Sequence, residues 1–71
     1  MDTIELRKAL GERLRAYRHE NGLSVWKLAQ KGKIAISQVK AVESGDTNYT
    51  INILLGYLSG CNLRVKFEDE N

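Results

Sequence analysis

These 71 residues predict an all-α domain of four helices, followed by one short C-terminal β-strand. Three observations carry that expectation. Apolar residues recur at helical spacing in the first segment, helix-capping patterns precede three further apolar runs, and only the last stretch alternates apolar with polar residues.

The first helix is read from DTIELRKALGERLRAYRHENG, where Leu6, Leu10, Leu14 and Tyr17 line one face and charged residues cover the rest. Asp2 and Glu5 form a capping pair at its start, and Asn21 and Gly22 can take the left-handed backbone that ends a helix. Gly11 sits inside this helix at a cost of about 1 kcal/mol relative to alanine. Close approach of another backbone would explain it, but sequence drift is the favoured reading.

The second helix starts at Ser24, whose hydroxyl can accept from a free backbone amide while Leu23 packs against Leu28. The same pairing of a residue before the cap with one in the first turn recurs at Ile34 with Val39 and at Tyr49 with Leu54. It places a third helix at about 36–43 and a fourth at about 51–60. Thr50 is a good cap for the fourth, whereas Ala35 is a poor one for the third. In the last stretch Leu63, Val65 and Phe67 alternate with Arg64, Lys66 and Glu68, the pattern of a half-buried strand. A lone strand leaves its ladder unpaired. The economical partner is the same strand of a second molecule, giving a two-fold dimer with an interface at Leu63, Val65 and Phe67.

A chain this short buries only about 60% of its unfolded surface, so it reads as one domain spanning 1–71 that gains from oligomerisation. Hydrophobic residues make up 42% and charged residues 28%, which excludes wholesale disorder. The net charge of +2 is unevenly spread. Residues 1–40 carry nine Lys and Arg against four acids, and residues 41–71 carry two against five, so the first half is suited to an anionic partner. Cys61 is the only cysteine and His19 the only histidine. No intrachain disulfide is therefore available, and a reducing cytoplasm is the expected location. Nothing resembles a signal peptide or a membrane-spanning run, and the acidic end Glu68-Asp69-Glu70-Asn71 reads as frayed.

No nucleophile, base and orienting residue can be assembled from the scattered acids, so an enzyme is not expected, nor is a cofactor or a metal site. His19 reads as solvated and Cys61 as a small core residue. Arg7, Lys8, Arg13 and Arg15 suit nucleic-acid contact, although a solvated helix face is the commoner explanation.

Residues 23–45, LSVWKLAQKGKIAISQVKAVESG, resemble the helix-turn-helix of the XRE family, the DNA-binding domains of phage Cro and repressor type. The likeness rests on Leu23-Ser24, Leu28-Ala29, Ile34, Val39, Val42 and the closing Glu43-Ser44-Gly45, in register without insertion. It extends to Leu14, Tyr17 and Arg18 upstream and to the helix at 51–60 downstream. The resemblance implies a lambda-repressor-like fold and a transcriptional regulator, such as a repressor, that binds double-stranded DNA. It also implies a structural ion pair between Arg18 and Glu43. Base-edge contacts would fall to Ile36, Ser37, Gln38 and Ala41, with Lys33 and Lys40 near the phosphates and backbone anchoring from Ser24, Ser44, Asn48 and Tyr49.

The sequence departs from the family where Lys33 stands in place of a glycine and Gly32 in place of an apolar or small residue. Either Lys33 takes a left-handed conformation or the turn slips by one residue. Trp26 occupies a position that is normally outward and polar. It can pack against the first helix or form a protein-binding surface. Small members with a C-terminal strand resemble antitoxins, which makes a toxin-like protein partner the alternative expectation.

Overall fold

The computed structural model describes residues 2–69 as four helices in the order α1 (Thr3–Glu20), α2 (Val25–Gly32), α3 (Ile36–Ser44) and α4 (Ile51–Gly60). Each helix starts where a cap can form. Asp2 accepts from the Glu5 amide at 2.8 Å, Ser24 from Lys27 at 3.0 Å and Thr50 from Ile53 at 3.4 Å. Ala35 has no side-chain oxygen to offer α3. Instead, the Ala35 amide donates to Gln38 Oε1 at 2.7 Å, the half of a capping box that a residue three positions into the helix can supply. Gly22 ends α1 with φ 65°, and Gly45 ends α3 with φ 75°.

The core is Leu14 of α1, Leu28 and Ala29 of α2, Val39 and Val42 of α3, Tyr57 of α4 and Cys61 just beyond it. Two places in it allow no side chain between backbones. A Cβ at Gly11 would lie 2.6 Å from the carbonyl oxygens of both Val42 and Glu43, so α1 touches the end of α3 directly. Drift is therefore the wrong account of Gly11; a close backbone approach requires it. Likewise a Cβ at Gly32 would strike the carbonyl of Gly56, and one at Gly60 would come within 2.8 Å of the Leu28 carbonyl. α2 and α4 thus meet through glycines.

That contact accounts for the odd turn between α2 and α3. Gly32 is taken up by the approach of α4, and the left-handed position falls on the next residue, Lys33, at φ 56° and ψ 42°. The turn has not slipped: the Ile34 amide still donates to the Ala29 carbonyl at 3.1 Å, and α3 begins at Ile36.

Two expectations need correction. Leu6 and Leu10 do not pack into the core. They are 52% and 37% exposed because they line an open groove with Tyr49, Ile51 and Leu54 that no side chain fills among the described residues, so only Leu14 and Tyr17 of the α1 apolar face are covered. Residues 63–69 form no strand among the described residues. Their alternation is real, but a strand exists by its ladder, and a single chain offers this segment no edge to pair with. Of the acidic end, Glu70 and Asn71 lie outside the described residues. No helix among those described is long and apolar enough to cross a membrane.

Candidate nucleic-acid interface

α3 advances about 100° per residue. Val39 and Val42 turn to the core, and Ser37, Lys40, Ala41 and Ser44 fall on the other side. Ser37, Lys40 and Ser44 are exposed, Ala41 and Gln38 half-buried, and Ile36 is 41% exposed. Among the described residues no other helix covers this outward face.

Five of the residues singled out in the sequence meet in one place. Ser37, Gln38 and Ala41 of α3 and Asn48 and Tyr49 of the following loop line an open cleft of about 400 Å³, floored by Ile53. Lys40 and Ser44 line a neighbouring shallow groove with Arg15 of α1. Ser24, Lys33 and Ile36 lie outside the cleft. Ser24 and Lys33 are nevertheless exposed, at the start of α2 and in the turn before α3.

Several of these groups are already engaged. Gln38 has its amide oxygen committed to the Ala35 amide, which removes the acceptor needed for a bidentate contact with adenine. Ser44 donates its hydroxyl proton to the Ala41 carbonyl at 3.1 Å. The Asn48 amide donates to Asp46 Oδ1 at 2.7 Å, so an acid that sequence reading passed over sits in the cleft and holds its loop in a tight turn. Arg7 secures the same loop from α1: its Nη1 donates to the Asp46 carbonyl at 2.7 Å, and its guanidinium lies 4.5 Å above the Tyr49 ring. Neither Arg7 nor Asp46 was identifiable as a loop clamp from sequence, because the two are far apart in the chain and carry no motif.

Beneath α3 lies a buried polar network. Arg18 Nε donates to Glu43 Oε2 at 2.6 Å and Arg18 Nη2 to Oε1 at 3.1 Å, a bidentate pair in which each side chain is 8% exposed. Arg18 Nη1 donates to the Leu23 carbonyl at 2.9 Å, and Tyr57 donates its hydroxyl to Glu43 Oε2 at 2.6 Å. Burial pushes the Glu43 carboxyl up, but the hydrogen bonds from Arg18 and Tyr57 outweigh it and hold the group below its ordinary value of 4.5. Burial, reinforced by the bond to Glu43, pushes the Tyr57 hydroxyl far up, and the bond to Glu43 raises Arg18 further. The ion pair is therefore charged at neutral pH, and it ties the end of α3 to α1, α4 and the α1–α2 loop. Tyr57 was not read from the sequence as a member; a tyrosine in an apolar helix looks like core until its hydroxyl is placed.

A scan against protein-family models finds no match for the chain, and a search of curated proteins finds none either.

Trp26, on α2, is 60% exposed and offers a broad aromatic surface. Among the described residues no group of three or more His, Cys, Asp and Glu side chains is placed to hold a metal ion.

Proposed function

We propose that this chain is a sequence-specific DNA-binding transcriptional regulator of the helix-turn-helix type, working as a dimer that sets α3 of each protomer in the major groove. The observation that carries this reading is the uncovered outward face of α3, joined in one cleft to the Asn48–Tyr49 loop, with Arg15 and Lys40 in the neighbouring groove and Lys33 exposed in the turn before α3. Short side chains at Ser37 and Ala41 let a helix approach base edges closely, and Ile36 and Ala41 suit a thymine methyl. Ser24 and the free amides at the start of α2 suit a phosphate. The two α3 helices of a dimer would lie roughly 34 Å apart, one turn of B-DNA.

The dimer is joined through Leu63, Val65 and Phe67, whose exposure in a single chain reaches 93% at Phe67. Changing Val65 or Phe67 to a charged residue is expected to give monomers by ultracentrifugation. A dimer that survives both changes rules the ribbon out.

The DNA reading is tested by enriching ligands from a random duplex pool and titrating binding against salt. Neutralising several phosphates makes affinity fall steeply between low and moderate salt. Ser24→Ala is expected to weaken all duplexes alike, and substitution at Ser37 or Ala41 to change which sequences are preferred. Binding that ignores salt, or no retention of duplex even at low salt, removes the proposal.

The exposure of Trp26 favours a second reading, an antitoxin-like module whose main partner is a protein. Trp26→Ala would then abolish a stable complex with the product of a neighbouring gene and leave duplex binding intact.

A further inference from the structure

The ribbon dimer proposed above leaves open how the two strands are aligned, and the charge pattern of residues 64–69 together with the apolar face of residues 63–67 decides it. Side chains two apart on extended backbone share a face. Leu63, Val65 and Phe67 form the apolar face and Arg64, Lys66 and Glu68 the polar one. Within a single chain Lys66 Nζ lies 3.5 Å from Glu68 Oε1, so these two side chains already lie together. Phe67 is 93% and Val65 54% exposed, and beside them runs an open groove lined by Leu55, Leu58 and Leu63.

Antiparallel alignments that keep the two apolar faces together differ by steps of two residues. With Val65 on the two-fold axis, Arg64 faces the partner's Lys66, and this like-charge opposition occurs twice. With Phe67 on the axis, Lys66 faces the partner's Glu68 twice, but Val65 faces the partner's Asp69, so an acid abuts the central Phe67 pair on both sides of the apolar face. With Lys66 on the axis, Val65 faces the partner's Phe67 and Arg64 faces the partner's Glu68, each twice. The one like-charge meeting is Lys66 with its copy, and each of these lysines keeps its own Glu68 alongside. This alignment sets Leu63 against the partner's Asp69 at the ends of the ribbon. Leu63 is already half-buried on its own core, so little apolar cover is lost there. Opposed charges across a strand pair attract and like charges repel by comparable amounts.

We infer that two copies of this chain pair antiparallel about Lys66, with Arg64 bridging the partner's Glu68 and Phe67 covering the partner's Val65 and the groove at Leu55 and Leu58. The inference rests on the ribbon reading and adds its register.

The test is charge exchange, read by sedimentation of the full chain at low salt. Arg64→Glu alone and Glu68→Arg alone are each expected to raise the dimer dissociation constant about tenfold. Arg64→Glu with Glu68→Arg together restores it to within about twofold. Helical circular dichroism verifies that each variant remains folded. With Val65 on the axis, Arg64→Glu would instead tighten the dimer by facing the partner's Lys66, so tightening overturns the inference, as does a dimer indifferent to all three variants. A monomeric wild-type chain overturns the ribbon itself, a result distinct from a dimer with the wrong register.

Discussion

Tyr57 donates its hydroxyl to the same carboxylate oxygen of Glu43 that accepts from Arg18 Nε, each at 2.6 Å. One oxygen thereby joins α1, α3 and α4. Removing the hydroxyl with Tyr57→Phe leaves the ion pair intact and is expected to lower stability by about 1.5 kcal/mol. Glu43→Ala strands Arg18 as a buried charge and costs about 3–5 kcal/mol. Urea denaturation measures both, and equal costs would mean that the carboxylate does not bind the network together.

Acid is expected to weaken the fold through Glu43. Its folded value lies below its unfolded one, so the stability it contributes is present in full above the ordinary value of 4.5 and is lost as pH falls through the depressed folded value. Glu43→Gln should be less stable at neutral pH and lose less on acidification than the wild type. Thermal midpoints taken at neutral and acid pH give the comparison, and parallel curves would contradict it.

Neighbouring residues in the α2–α3 turn are expected to respond with opposite signs. Lys33→Gly relieves a left-handed backbone and is expected to stabilise by about 0.5–1 kcal/mol, the greater freedom of glycine when unfolded offsetting part of the gain. Gly32→Ala pushes a methyl into the Gly56 carbonyl and is expected to destabilise by about 1–3 kcal/mol. Gly11→Ala belongs with the second, even though helix propensity alone favours it by about 1 kcal/mol. A stabilised Gly11→Ala chain would show that α1 can withdraw from α3.

Gln38 is expected to matter for stability even without DNA. Gln38→Ala removes the acceptor for the Ala35 amide and should cost about 1 kcal/mol, while Gln38→Glu keeps the acceptor and holds stability. On the proposed interface that glutamate would repel phosphate, so the two variants separate capping from binding. A chain in which both lose stability alike gives Gln38 no capping role.

Cys61 is 5% exposed, and burial pushes its thiol up, so little thiolate forms at neutral pH. It is expected to resist alkylation in the folded chain and to react once urea unfolds it. Rapid reaction in native buffer would mean that the end of α4 opens readily.

Local chemistry made much of the helical architecture legible. Ser24 and Thr50 stand where the starts of α2 and α4 were expected, since a cap and its staple are written within a few residues. Long-range relationships left no such mark. Gly11 was misread because the backbone that needs it lies more than thirty residues away, and Leu6 and Leu10 because periodicity reports a face without saying where its cover ends. Gln38 was taken for a free side chain because the need for its oxygen arises from what Ala35 lacks. The C-terminal alternation is visible in the sequence, while the ladder it calls for depends on a second chain. Of the candidate interface, the residues of α3 came from resemblance; the Arg7 and Asp46 clamp came only with coordinates.

Where Gly32, Gly56 and Gly60 meet, α2 and α4 touch backbone to backbone, with no compressible layer of side chains between them. Whatever grips the far end of α4 therefore also sets the aim of the turn that launches α3. Were two such frames joined in the proposed DNA-binding dimer, the aim of each α3 would be fixed to its own α4 like a caliper locked at one opening, and an extra base pair between half-sites would have to be absorbed elsewhere, by bending or twisting the DNA or by the segment that joins the protomers.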